Sequence, residues 1–153
     1  MSHSVVSAAV PAFLPELPRL ADDKRSWGQI DGSARALALA AVTQQHSGLV
    51  VVITQDTRSA TQLEEALTFF LGEDANFPLW HFPDWETLPY DQFSPHQDII
   101  STRLQVLSQL PTAKRGILVV PITTAAHRLA PRDWLLGQAI ELKCGQKLTL
   151  DDT

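Results

Sequence analysis

Apolar and polar positions fall along this chain in blocks of two different periods. Leu49-Val50-Val51-Val52-Ile53-Thr54 is continuous, β-branched and uncharged, which predicts a strand buried on both faces. Gly116-Ile117-Leu118-Val119-Val120 predicts a second apolar strand, and Pro78 to Phe82 a short one. Between them the period changes. Leu63, Ala66, Leu67 and Phe70 recur at helical spacing while Gln62, Glu64 and Glu65 face away. Asp56 or Thr57 is placed to cap that helix and Gly72 to end it. An Ala/Leu-rich helix is predicted over Ala34–Gln45, opened by Asp31-Gly32-Ser33 and stopped by Gly48. Another runs over Gln97–Ser108 and stops before Pro111. Shorter helices are predicted over Thr123–Leu129 and Asp133–Leu136, and a last strand over Ala139–Leu142. Pro11, Pro15 and Pro18 block a regular helix and imply an extended arm over residues 1–24. Strands alternating with helices at this pitch define an α/β class, a parallel sheet with helices on both faces.

Composition narrows the partners. The 153 residues carry a net charge of −5, which opposes a strongly basic nucleic-acid module. The charge is uneven. Asp56 to Asp98 carries a net −8, with Arg58 its only base, whereas Ile99 to Thr153 carries +3. Two solvated faces of unlike sign account for this, and an acidic face that docks on a basic partner or domain is the functional alternative. The single Cys144 excludes an intrachain disulfide and suits a reducing compartment. No apolar run reaches the roughly 20 residues of a membrane helix, and Met1 to Val10 has no signal-peptide pattern, so a cytoplasmic location without membrane contact is expected.

Most catalytic templates fail. His3, His46, His81, His96 and His127 lack paired-ligand spacing, so no metal site is expected. His81, between Trp80 and Phe82, reads as a packed strand residue, and Cys144 as an ordinary thiol. Phe82-Pro83-Asp84-Trp85-Glu86 is no Walker-type acidic box, because Pro83 and Trp85 interrupt the apolar strand such a box follows. One segment does align with a phosphate loop, GxxxxGK[ST]: Gln29-Ile30-Asp31-Gly32-Ser33-Ala34-Arg35-Ala36, before a helix and upstream of a strand. Each chemical element is altered. Gln29 replaces the first glycine, and Ala34 replaces the second with a Cβ that crowds the backbone. Arg35 replaces the lysine with a different geometry, and Ala36 has no oxygen for Mg²⁺. Asp31 adds a negative charge. Helix-dipole attraction of about 0.3–1 kcal/mol does not replace those contacts. No catalytic residue and no bound cofactor is expected in Gly32, Ser33, Ala34, Arg35 and Ala36.

Residues 84–111 read DWETLPYDQFSPHQDIISTRLQVLSQLP. This string closely resembles the N-terminal region of bacterial transcription-repair coupling factors (Mfd). The resemblance continues through Arg115-Gly116-Ile117-Leu118-Val119-Val120-Pro121, Arg128-Leu129 with Pro131, and Gly145-Gln146-Lys147-Leu148. It implies a degenerate P-loop, RecA-like fold similar to the first domain of the excision-repair helicase UvrB, over residues 25–143. It also implies that 144–153 opens the following, UvrA-contacting domain, in keeping with the capping pattern Thr149-Leu150-Asp151-Asp152. The family is an ATP-driven DNA translocase that displaces stalled RNA polymerase and recruits UvrA. The resemblance places its motor, with ATP and Mg, and its RNA polymerase and DNA contacts downstream of Thr153. UvrB-like proteins grip DNA with an aromatic hairpin, and this chain has only a short loop there.

That loop is the candidate docking surface, either for other domains of the full chain or for UvrA: Asp84, Trp85, Glu86, Tyr90, Asp91, Phe93, His96, Asp98 and Arg103. Pro89 and Pro95 stiffen it, and Asp84 and Asp98 are placed to cap turns or the next helix. Trp85, Leu88, Tyr90 and Phe93 are expected to fold back on the sheet edge, with Arg103 tied to Asp98 and Asp91. An ordered loop without a ligand is the plainer alternative. A divergent nucleotide-binding or DNA-binding half-domain is the remaining one.

Overall fold

The computed structural model describes residues 15–72, 77–87, 90 and 92–138. Residues 1–14, the predicted strand 139–142, Cys144 and the capping pattern at 149–152 lie outside this set, as do Leu88, Pro89 and Asp91. Among the described residues the helices and strands follow one another as α1 (Ser33–Gln45), β1 (Leu49–Thr54), α2 (Thr57–Leu71), β2 (Leu79–His81), α3 (Gln97–Gln109), β3 (Gly116–Pro121), α4 (Ile122–Ala125) and α5 (Arg132–Gln138), with a 3-10 turn between α3 and β3. The three strands form one parallel sheet in the order β1-β3-β2. Parallel pairing requires a crossover between neighbours, and the helices supply it. The α/β class is as the alternating periods predict.

Period-2 alternation sorts the strand residues onto two faces. Val50 and Val52 of β1 stand in register with Ile117 and Val119 of β3, and with them pack Ala36, Ala40, Ala60, Leu63 and Leu67 of α1 and α2. The small residues of α1 let it approach α2 closely. Leu67, Ile117 and Val119 are completely buried, and each such side chain contributes roughly 1.5–3 kcal/mol by leaving water. On the opposite face Phe82, Val106 and Val120 form a second cluster under α3, flanked by Trp80, Leu107, Leu110 and Leu118.

That second face is covered only in part. Val51 and Ile53 stand beside Leu118 and Val120 in register, yet they are 52% and 58% exposed. The expectation that β1 is buried on both faces is therefore corrected. Among the described residues β1 is an edge strand, and α3 packs over β2 and β3. A continuous apolar run reads identically whether one flank or both are covered.

Local chemistry sets the element ends. Asp56 caps α2, its Oδ1 accepting from Ser59 N–H at 2.7 Å. Gly72 ends it at φ 72°. Gly32 caps α1 without a side-chain bond, so Asp31-Gly32-Ser33 opens the helix through backbone freedom alone. Gly116 enters β3 at φ 146°, and a Cβ there would run into the Trp80 ring and the Pro78 carbonyl. Arg115, one place earlier, donates to the last-turn carbonyls Thr43 O (3.0 Å) and Gln44 O (2.7 Å) and stacks on Phe77 at 3.9 Å. It thereby closes the C-terminus of α1, where a cation also suits the dipole. Two helices have other bounds than expected, and one side chain faces the other way. α3 continues past Ser108 into a 3-10 turn, Leu110–Thr112, that absorbs Pro111. α4 starts at Ile122 and ends at Ala125 rather than Leu129. Glu64 turns inward, and its Oε2 lies 2.6 Å from His81 Nδ1, joining α2 to β2.

Candidate functional site

Two regions bear on function: the entrance to α1 and the loop after β2. At the entrance, Gln29 and Gly32 both adopt positive φ, 58° and 56°. The chain thus turns sharply before the helix, as a phosphate loop also does. The side chains are arranged differently. Ala36 is fully buried in the cluster beneath α1 and α2, so its Cβ is a packing atom. Arg35 is well exposed, and its guanidinium lies 3.8 Å from Asp31 Oδ1. Among the described residues its one charged partner is this carboxylate of the same turn.

Beside this entrance runs an apolar groove of about 460 Å³, lined by Leu17, Trp27, Ile30, Leu39, Val50 and Val52 together with Arg25 and Arg35. Arg25 pairs with Asp23 at 3.0 Å and with Glu16 at 3.8 Å. Both guanidiniums of the groove therefore face carboxylates already, which lowers their attraction for an incoming anion. Trp27 Nε1–H donates to Glu16 O at 3.4 Å, holding residues 15–27 alongside α1.

The loop after β2 is built around Arg103. This side chain sits on the sheet-facing side of α3 and is only 2% exposed. Its guanidinium carbon lies 4.2 Å from the centre of the Phe82 ring and 4.0 Å from that of Trp85. Its Nη1–H donates to the Pro83 carbonyl. Burial pulls the guanidinium below its ordinary pKa, and the charge of Asp84 opposes that pull. Asp84 completes the root of the loop: Oδ1 accepts from Trp85 N–H at 2.8 Å and Oδ2 from Thr123 Oγ1–H at 2.9 Å. Thr123 belongs to α4, directly after β3. One carboxylate thus ties the loop to the neighbouring strand's C-terminal end.

The predicted loop contacts need correction at several points. Arg103 engages Phe82, Pro83 and Trp85, with the charge of Asp84 nearby, and not Asp98. Asp98 instead lies in the first turn of α3, 3.3 Å from His96 Nδ1, and His96 is the cap of that helix. Capping by His96 left no sequence signal, because Asp98 is the conventional choice two residues on. Trp85 folds back as expected. Tyr90 and Phe93 do not: their exposures are 103% and 82%. Glu86 and Tyr90 both adopt positive φ, 57° and 76°, uncommon for residues with a Cβ. The loop root is fixed, and its crest presents two aromatic rings to solvent. Asp91 lies outside the described residues. Thr123 and Phe82 were missed by motif reading. The only signal for them is position, since both follow strand residues at the C-terminal edge of a parallel sheet, where loops converge.

Among the described residues no group of three or more His, Cys, Asp or Glu side chains could hold a metal ion, and no helix is long and apolar enough to cross a membrane.

This is an α/β segment whose parallel sheet carries a sharply turned helix entrance and an anchored loop. No family model matches the chain. Individual proteins do. The transcription-repair-coupling factor of Escherichia coli is 43% identical over 135 residues, covering 88% of this chain and 11% of that protein. That of Haemophilus influenzae is 42% identical over 139 residues, 91% of this chain and 12% of its own length. That of Mycobacterium bovis is 36% identical over 125 residues. The chain is a homologue of the transcription-repair-coupling factors and spans about a tenth of the length of the relatives it matches.

Proposed function

We propose that this chain is a non-catalytic, UvrB-like interaction module of a transcription-repair coupling factor. It serves transcription-coupled nucleotide excision repair by supporting UvrA recruitment and regulation between domains. The ATP-driven translocase that displaces stalled RNA polymerase, with its magnesium and DNA contacts, belongs to other parts of such a protein. The observation that carries the reading is the 43% identity across most of this chain to a protein of that name.

The site chemistry supports it. A triphosphate needs a lysine point charge, a hydroxyl on Mg²⁺ and an open backbone cradle. At the corresponding positions stand an arginine facing Asp31, an alanine in the core and an alanine Cβ. The helix dipole alone gives about 0.3–1 kcal/mol, too little to retain a nucleotide. The loop supports the interaction side of the reading. A rigid root that displays Tyr90 and Phe93 is a surface of the kind that anchors protein partners, since tyrosine is enriched among binding hot spots.

The test is capture of purified UvrA by this chain and by a version extended with the segment that follows it in the relatives. Capture by the extended form, with weak or no capture by the short form, is the expected result. Failure of both forms to retain UvrA would overturn the proposal. Replacing Tyr90 and Phe93 by alanine in the extended form separates a contribution of the loop from that of the added segment.

A further inference from the structure

No further inference is drawn: the strongest candidate, the outer flank of β1 where Val51, Ile53 and Ile122 stand about half-exposed, is an unpartnered apolar surface, and nothing in the structure shows what covers it.

Discussion

Arg35 and Arg103 occupy opposite situations on one small sheet. Arg35 stands where a phosphate-loop motif places its cation, yet its side chain is 61% exposed and pairs at 3.8 Å with a carboxylate that is itself in solvent. Arg103 occupies an ordinary helix position and is 2% exposed between two aromatic rings. The difference teaches that motif position and structural commitment are separate properties. A cation held for binding must be aimed and left without a competing partner. A cation held for folding is desolvated and saturated with contacts. By those criteria Arg103 serves the fold and the loop, and Arg35 serves neither strongly.

The contrast predicts a graded set of effects. Replacement of Arg103 is expected to be the most damaging. Arg103→Ala removes a buried stem, two cation–π contacts and the bond to the Pro83 carbonyl, and should cost about 3 kcal/mol in a denaturant titration. Arg103→Lys keeps the charge but loses the planar stacking, so it should recover less than half of that loss. Equal stability of the lysine variant and the parent would show that charge alone holds the loop.

Next in size is the tie from the loop to the neighbouring strand. Thr123→Val removes the hydroxyl that donates to Asp84 Oδ2 while keeping the volume, and should cost about 1 kcal/mol. Proteolysis within residues 86–96 should then quicken relative to the rest of the chain. A loop that stays as resistant as before would mean that Arg103 suffices as its anchor.

The sequence made much of this fold legible, for identifiable reasons. Gly48, Gly72 and Pro78 punctuate the chain, and the change of period from two to 3.6 separates strands from helices. The Asp56 cap followed from its place before a helical pattern. What stayed hidden depends on residues far apart in the chain. Arg103 stacks on side chains about twenty positions upstream, and neither Phe82 nor Trp85 names that partner. The exposed flank of β1 depends on how far α3 reaches across the sheet, which Val51 and Ile53 do not encode. Glu64 occupies a position that the helical pattern assigns to solvent, and only the placement of β2 brings His81 to it. At the candidate site, the departures of Gln29–Ala36 from the phosphate-loop pattern were readable one by one, but the burial of Ala36 and the pairing of Arg35 were not.

A smaller effect is expected at Asp56. The Ser59 amide and hydroxyl hold its carboxyl below the usual range. A carboxyl with a depressed folded-state pKa contributes stability that is present above its unfolded value near 4 and is lost as the pH falls through the folded value. The stability difference between the parent and Asp56→Ala should therefore be constant at neutral pH and shrink below about pH 4. A difference that grew on acidification would contradict the assignment of Asp56 as an ionised cap.

The smallest effect falls on Arg35. Its exposed pair with Asp31 contributes about 0–1 kcal/mol, so Arg35→Ala should leave the thermal midpoint almost unchanged. The same variant gives the most direct measurement of whether the α1 entrance holds nucleotide. Thermal unfolding of the parent chain and of Arg35→Ala is followed with and without millimolar magnesium and ATP. The account predicts no nucleotide-dependent shift in either protein. A clear stabilisation of the parent by MgATP that disappears in Arg35→Ala would contradict it.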